Sequence, residues 1–403
     1  MSILRGKNIL LGISAGIAAY KTAFLVRLFV KAGADVRVVM TPSAKEFITP
    51  LTLSTLSNHP VMSDFTDDED DNAVWNNHVE LGLWADLFVV APATANTLSK
   101  MASGNSDNFL IATYLSAKCP VYFAPAMDLD MYKHPTTQHA LETLQSYGNI
   151  LIPSAFGALA SGLVGMGRMA EPETIVETIE QHILKGLPLY GKKILVTAGP
   201  THEAIDPVRY IGNHSSGRMG FEIANTAAQM GAEVILITGP THFKAHYTTI
   251  LTIPITSARD MYDAAYQYFD QVDAAILSAA VADYRPKFPA TSKIKKKASS
   301  LTLELEKTED VLSSLGEIKE KQLLIGFALE TENEVANAIK KLKAKNLDLI
   351  ILNSLNDDGA GFGGSTNKIS IIDKDLNQTN YPLKSKSEVA DDIINELIKR
   401  VHA

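Results

Sequence analysis

Apolar residues run almost unbroken through Ile9-Leu10-Leu11 and give way to Gly12-Ile13-Ser14-Ala15-Gly16. They then recur at helical spacing from Tyr20 to Val30. A continuous apolar run predicts a buried strand, and recurrence every three to four residues predicts an amphipathic helix. The order returns later, where Lys192-Lys193-Ile194-Leu195-Val196-Thr197 repeats the opening Lys7-Asn8-Ile9-Leu10-Leu11-Gly12. Likewise Gly33-Ala34-Asp35-Val36-Arg37-Val38-Val39-Met40-Thr41-Pro42 is echoed by Gly231-Ala232-Glu233-Val234-Ile235-Leu236-Ile237-Thr238-Gly239-Pro240. In both, a glycine ends a helix and a β-branched strand begins within three residues. Third strands are predicted at Asp86–Ala91 and Asp273–Ser278. Apolar strands alternating with amphipathic helices imply parallel sheets covered on both faces. Glycine and proline interrupt the periodicity near Lys185–Gly191. The chain reads as two doubly wound, Rossmann-like α/β domains in tandem, over residues 1–186 and 187–403.

Composition sharpens this picture. A length of 403 residues exceeds one compact core, and 46% hydrophobic against 20% charged residues supplies cores rather than disorder. Thirty-seven basic and 45 acidic residues give a net charge of −8, which argues against general nucleic-acid or anionic-membrane partners. One cysteine excludes an intrachain disulfide framework and a cysteine-based metal site, and fits a reducing cytosol. Ile9–Ala19 has the look of a signal-peptide core, yet helical periodicity continues through it, so a cytoplasmic protein is expected. The acidic run Asp67–Asp71 reads as a solvated loop.

Ligands of doubly wound sheets bind beyond the carboxyl ends of the strands. Three such ends in the first domain are unusually polar or rich in small residues. Gly12–Gly16 offers backbone N–H groups and the Ser14 hydroxyl to a phosphate. Pro92-Ala93-Thr94-Ala95-Asn96-Thr97 closes the third strand, and Pro125-Ala126-Met127-Asp128-Leu129-Asp130-Met131-Tyr132 the next. His78 precedes the helix that leads into the third strand. In the second domain, Asn213-His214-Ser215-Ser216-Gly217-Arg218-Met219-Gly220 is a polar turn feeding a helix, more elaborate than a cap requires. Ser278–Arg285, the lysine run Lys293–Lys297, and Gly326–Thr331 with Lys341 and Lys345 beyond it follow; Asn353 and Gly361-Phe362-Gly363 come after the next strand. Neither opening strand carries Gly-x-Gly-x-x-Gly, which disfavours a nicotinamide-dependent oxidoreductase.

The spacing of His78, Pro92–Thr97 and Pro125–Tyr132 resembles the cysteine-decarboxylating flavoproteins, and Gly157–Pro172 resembles their substrate-recognition flap. With the second-domain motifs, the chain from about Lys7 onward is similar to the bifunctional phosphopantothenoylcysteine decarboxylase/phosphopantothenate–cysteine ligases of coenzyme A biosynthesis. The resemblance implies FMN, its phosphate near Ser14, bound by Thr41, Pro92, Ala93, Thr94, Asn96 and Thr97, with the ring against a neighbouring subunit. It further implies trimers assembled into a dodecameric shell. In the family chemistry, FMN oxidises the cysteinyl thiol to a thioaldehyde, the carboxylate leaves as carbon dioxide, and hydride and proton return. His78 matches the family's base, and Asp128, Gly162, Arg168 and Met169 match substrate-binding positions.

Two residues depart from the family pattern, which has asparagine at Asp128 and cysteine, the final proton donor, at Ser161. A hydroxyl is a far weaker acid than a thiol of pKa about 8.5. An ionised Asp128 repels the substrate carboxylate, whereas a protonated one donates and so supplies the missing acid. Cys119 stands at the other end of that strand, about 17 Å away. Three readings stay open: a full decarboxylase with a rearranged proton path, an oxidative enzyme stopping at the enethiol, and a non-catalytic flavin-binding scaffold fused to an active ligase.

For the second domain, the resemblance implies that CTP activates 4′-phosphopantothenate as an acyl-cytidylate, which the amine of cysteine then attacks. Asn213 matches the residue holding that intermediate, and Lys293 the residue needed for its conversion. Ala279, Asp283, Phe327, Lys341 and Lys345 match nucleotide-site positions. Lys307–Val311 occupies a loop that departs from the family at Thr308 and Glu309, leaving Asp310 and Val311 as matches. Mg²⁺ is expected on the triphosphate; the sequence identifies no metal ligands.

Overall fold

Strand β1 (Asn8–Ile13) is buried from its second residue onward, so the layer it belongs to is covered on both faces. The computed structural model describes residues 2–66, 75–295, 301–330, 332–354 and 364–402. The acidic run Asp67–Asp71, Lys296–Lys297, Thr331 and Gly361–Gly363 lie outside the described residues. The chain divides into two units, Met1–Ile183 and Leu184–Ala403.

In the first unit, β1 is followed by β2 (Asp35–Met40), β3 (Val61–Met62), β4 (Leu87–Ala93), β5 (Val121–Pro125) and β6 (Ile150–Leu151). They form one parallel sheet in the order β3-β2-β1-β4-β5-β6, with Ile9 opposite both Val36 and Leu87. The order reverses between β1 and β4, which opens a crevice at their carboxyl ends. Gly33, at φ 88°, ends the helix Thr22–Lys31 and turns the chain into β2. Leu25, Val26 and Phe29 of that helix are fully buried, each contributing about 1.5–3 kcal/mol relative to exposure. Beyond the sheet, β7 (Ala155–Ala158) and β8 (Val164–Arg168) form an antiparallel hairpin.

The second unit begins with β9 (Lys193–Ala198), the hairpin β10 (His202–Ala204) and β11 (Tyr210–Gly212), β12 (Glu233–Thr238), β13 (Ile250–Pro254) and β14 (Ala274–Leu277). It continues through β15 (Tyr284–Pro286), β16 (Leu305–Lys307), β17 (Leu323–Glu330) and β18 (Leu349–Ser354). The short β19 (Thr366–Asn367), β20 (Ile369–Asp373), β21 (Gln378–Asn380) and β22 (Lys384–Ser385) complete it. The main sheet runs β13-β12-β9-β14-β17-β18-β20-β21. The α/β fold expected from the sequence is present in both units, with one difference. Strands β20 and β21 join antiparallel, because a tight connection rather than a helix links them. No described helix is long and apolar enough to cross a membrane.

Candidate functional site

The first crevice is built on the Ser14 hydroxyl. Its Oγ donates to the Pro92 carbonyl at 2.6 Å and accepts the Thr94 N–H at 3.1 Å, tying the end of β1 to the end of β4. Pro92 and Ala93 lie within β4 rather than after it, and like Ser14 they are buried and do not themselves line the cavity. Above them Thr41, Thr94, Asn96, Thr97, Ala126 and Met127 line a cavity of about 460 Å³. Thr41 Oγ1 is buried there without a hydrogen-bond partner. Such an atom is costly unless a ligand completes it. This wall of hydroxyls and the two amides of Asn96 and Asn108, with Lys100 and Asp107 at its side, fits a phosphorylated planar cofactor.

A second cavity, of about 490 Å³, shares Ala126 and Met127 with the first and is lined by Tyr20, Lys21, Asp128, Ser161, Arg168 and Met169. The β7–β8 hairpin closes it. Gly167 adopts φ 127° and presses on the Met127 carbonyl, where a Cβ would lie 2.4 Å from the oxygen. Its own carbonyl accepts the Met127 N–H at 2.9 Å. That close approach brings Ser161, at the exposed hairpin tip beside Gly162 (φ 88°), to the same cavity as Asp128. The Asp128 carboxylate accepts the Leu129 N–H at 2.6 Å as the cap of the helix Leu129–Lys133.

Lys21 is the residue sequence reasoning missed. Buried, it donates to the Met169 carbonyl at 3.2 Å and to Glu171 at 2.9 Å, and Arg168 reaches the same Glu171 oxygen at 2.6 Å. The Lys21 hydrogen bond, opposed by burial and helped by Arg168, holds the Glu171 carboxyl below its ordinary value. A lysine in an otherwise apolar helix start was the available signal.

Within one chain, His78 lines neither cavity. It is the first residue of the helix His78–Trp84, capped by Asn77, and its ring packs edge-on against Phe65, Trp75 and Phe109 at 5.7, 5.9 and 6.4 Å. Its Nδ1 is buried without a partner. Cys119 lines neither cavity either, and burial pushes its thiol up to about 11.

In the second unit two cavities, of about 520 and 410 Å³, adjoin at the carboxyl ends of β9, β14 and β17. Ala279, Val281, Asp283, Phe327 and Lys341 border both. The smaller contains Asn213, the Ser215–Gly220 turn and Asn353; the larger extends to Asp310, Val311 and Lys345. Asn213 Nδ2 donates to the carbonyls of Ala280 and Val281 at 3.2 and 3.0 Å, which fixes it over the end of β14. Gly217, at φ 84°, starts the helix Arg218–Gln229 and has no side chain to cap it, while Ser215 and Ser216 Oγ accept the Gly217 and Arg218 N–H groups at 3.3 and 3.5 Å. Lys341 Nζ donates to the Phe327 carbonyl at 2.7 Å; burial, then the nearby Lys345 charge, pushes its ammonium below its ordinary value. The departing loop is anchored beside the larger cavity, where the Thr308 N–H donates to the Asp283 carbonyl at 3.0 Å.

Two expectations differ from this geometry, and one lining residue was not expected. Lys293 is exposed and borders neither cavity. Asn353 lies within β18, not after it, and its buried Oδ1 has no partner. Lys386, absent from the sequence reading, lines the smaller cavity from the start of the helix Lys386–Val401. Among the described residues no group of three or more His, Cys, Asp or Glu could hold a metal ion.

Residues 2–184 match the Flavoprotein family, and residues 189–401 match the DNA/pantothenate metabolism flavoprotein C-terminal domain. The chain is 44% identical over 98% of its length to a coenzyme A biosynthesis bifunctional protein CoaBC from Bacillus subtilis, covering 97% of that protein. It is 43% identical to the CoaBC of Vibrio cholerae, covering 98% of each chain. It is also 52% identical over 88% of its length to a cysteine/cysteine sulfinic acid decarboxylase from an unknown prokaryotic organism, all of which is covered.

Proposed function

The chain belongs to the bifunctional coenzyme A biosynthesis family, a flavoprotein domain joined to a pantothenate-metabolism C-terminal domain, and we propose that it makes 4′-phosphopantetheine in two steps. Its second domain ligates cysteine to 4′-phosphopantothenate, and its first domain decarboxylates the product. The observation that carries this reading is kinship spanning both domains, 44% identity over 98% of the chain.

In the ligase, CTP transfers its cytidylyl group to the substrate carboxylate and pyrophosphate leaves. The cysteine amine then attacks the acyl carbon, cytidylate departs, and the amine loses a proton. Asn213 holds the acyl-cytidylate beside the Ser215–Gly220 turn, where a helix N-terminus favours phosphate. Phe327 packs on the base, Asp283, Lys341 and Lys345 bind the nucleotide, and Lys293 reaches over the intermediate. Magnesium is read as arriving on the triphosphate, which supplies oxygen ligands that the cleft's separated carboxylates do not.

In the decarboxylase, FMN supplies a two-electron acceptor and donor for the substrate's cysteinyl carbon–sulfur unit. Thr41, Thr94, Asn96 and Thr97 would hold it, with its phosphate near Ser14, and the unpartnered Thr41 Oγ1 supports that reading. His78 takes the thiol proton at the cavity of a neighbouring subunit, so the reading includes a homo-oligomer of trimers, assembled as a dodecamer. Trp75 and Leu83, 56% and 58% exposed near His78, are the kind of apolar surface that subunits cover. The free, half-buried Cys119 accords with a cytoplasmic location. Purified protein supplied with 4′-phosphopantothenate, cysteine, CTP and Mg²⁺ tests the whole reading. Pyrophosphate and carbon dioxide should appear in equal amounts, with phosphopantetheine by mass; pyrophosphate alone would leave an active ligase on a flavin-binding scaffold.

Asp128 favours a second reading. Free cysteine carries an ammonium where its N-acyl form carries an amide, and a carboxylate complements the ammonium. The relative named for cysteine and cysteine sulfinic acid points the same way. Cysteamine formed from cysteine alone, without CTP, would distinguish it.

A further inference from the structure

The β10–β11 hairpin carries, in its turn, an acidic side chain with five donor groups from three residues around it. Asp206 Oδ1 accepts the N–H groups of Val208 and Arg209, both at 2.9 Å. Its Oδ2 accepts Arg209 Nε at 3.1 Å and the Ile294 N–H at 3.1 Å, and a second guanidinium nitrogen of Arg209 also donates to it. The Asp206 side chain has no exposed surface. The Arg209 guanidinium, against the opposing effect of burial and with the backbone N–H groups, holds the carboxyl far below its ordinary value. Arg209 goes further and donates to the Ile294 carbonyl at 3.2 Å. A third tie joins the Ala290 N–H to the Ile205 carbonyl at 2.9 Å.

A turn of this length does not need that arrangement. A buried carboxylate is expensive unless fully satisfied, and two of its partners serve the turn itself. The remaining one, with the Arg209–Ile294 bond, grips both backbone groups of a residue more than eighty positions away. Ile294 is the neighbour of Lys293. The same hairpin leads directly through Gly212 into Asn213, which is fixed to the carbonyls of Ala280 and Val281.

We propose that Asp206, acting with Arg209, is a positioning residue that registers Lys293 against Asn213, so that the exposed lysine is presented to an acyl-cytidylate held on the other arm of the hairpin. Asp206 touches no reacting atom. It acts by fixing where the backbone beside Lys293 lies, and a displacement of about 1 Å at a reacting group costs on the order of 100-fold in rate. The inference rests on the ligase reading for the role of Lys293, but the clamp itself does not.

The test uses the full-length holoprotein with Asp206→Asn, Asp206→Ala, Lys293→Gln and the Asp206→Asn/Lys293→Gln double variant. Asp206→Asn retains the shape of the side chain, so it separates loss of the clamp from loss of the fold. In a single turnover without cysteine, pyrophosphate release by Asp206→Asn should stay within about threefold of wild type, whereas on later addition of cysteine, transfer of the acyl group to it should be about 100-fold slower. The double variant should be no slower than Lys293→Gln alone, because both changes remove one function. Limited trypsin digestion supplies the independent readout: cleavage after Lys293 and Lys295 should accelerate in both Asp206 variants. Equal loss of both steps, or multiplied effects in the double variant, would overturn the positioning role. Unchanged trypsin cleavage would overturn the clamp. Accelerated cleavage with no accumulation of acyl-cytidylate in Lys293→Gln would refute the assignment of Lys293 and with it the registered function, leaving a clamp of another purpose.

Discussion

Lys345 Nζ lies 2.9 and 2.7 Å from the two carboxylate oxygens of Asp310, so the cation at one end of the ligase cleft is held by the residue that caps a helix. Asp310 also accepts the Ser313 N–H at 3.0 Å, as the cap of the helix Val311–Ile318. On the proposed reading, a nucleotide phosphate would compete with Asp310 for Lys345. Lys345→Met should weaken CTP binding about tenfold, the scale of one hydrogen bond to a charged group. Asp310→Asn retains an acceptor for the cap and releases the lysine, so CTP affinity should be unchanged or tighter. Calorimetric titration of both variants checks the pair; weaker binding by Asp310→Asn would show that the carboxylate itself serves the nucleotide.

The same carboxyl has a consequence in acid. Burial pushes it up, but Lys345 and the Ser313 N–H outweigh burial and hold it below its ordinary value. A depressed folded value means stability that is present above the unfolded value of about 3.9 and is lost as pH falls through the folded one. Denaturant unfolding of wild type and Asp310→Ala should differ by about 1 kcal/mol at neutral pH, the scale of a helix cap, and converge below about pH 4. A difference that persists unchanged into acid would contradict the coupling.

Lys341 should make nucleotide binding sensitive to alkali. Burial, then Lys345, lowers its proton affinity in the free protein, and a bound phosphate restores it. The protonated form binds the anion, so affinity should begin to fall on the alkaline side before an ordinary lysine titrates, and binding should take up protons there. Lys341→Met should bind more weakly and lose the early fall. Titrations in two buffers of different ionisation enthalpy measure the proton uptake, and equal apparent heats in both would refute it.

Strands and their parallel, doubly covered arrangement were legible because continuous apolar runs leave few alternatives once both faces must be covered; the order of the strands was not. Glycines such as Gly33 and Gly231 marked helix ends for a definite reason, the positive φ each adopts. The hairpin β10–β11 and the antiparallel β20–β21 were not legible, since strands of three to five residues carry too little periodicity. At the sites, Thr41, Asp128, Asp283 and Lys341 lie where strand ends must converge. His78 and Lys293 do not: each sits off the sheet ends, and its approach to a substrate depends on contacts that a linear motif does not encode. Lys21 and Lys386 escaped notice because a lone lysine at a helix start has no distinctive spacing.

The altered decarboxylase cavity allows a direct contest between Ser161 and Asp128, which border it together. If Asp128 is the final donor, Ser161→Ala should leave phosphopantetheine formation largely intact and Asp128→Asn should stop it at the enethiol. If Ser161 donates, the outcomes reverse, and Ser161→Cys should maintain or raise the yield. The Asp128 scheme is favoured because Ser161 stands exposed on a hairpin tip, whereas Asp128 is half-buried at the end of β5. Anaerobic mixing with 4′-phospho-N-pantothenoylcysteine, followed by flavin absorbance and product mass, decides between them. An unbleached flavin and unchanged substrate would defeat both.

Gly220 sets how closely the helix Arg218–Gln229 meets the sheet of the second unit. A Cβ there would lie 2.5 Å from Ala198 Cβ and 2.8 Å from Ser278 Oγ. Neither neighbour has room to yield, since Ala198 belongs to β9 and Ser278 is bonded to the Thr197 carbonyl at 2.6 Å. Gly220→Ala must therefore push the start of Arg218–Gln229 off the ends of β9 and β14, costing about 1–3 kcal/mol, the range of an overpacked core. The displaced N–H groups would then miss a phosphate by a distance that matters. The variant should unfold its second domain at lower denaturant and bind CTP at least tenfold more weakly, a factor equal to about 1.4 kcal/mol. Flavin content should be unchanged, because every contact involved lies within the second unit. Normal CTP affinity in a destabilised Gly220→Ala would separate packing from phosphate binding and place the triphosphate elsewhere in the cleft.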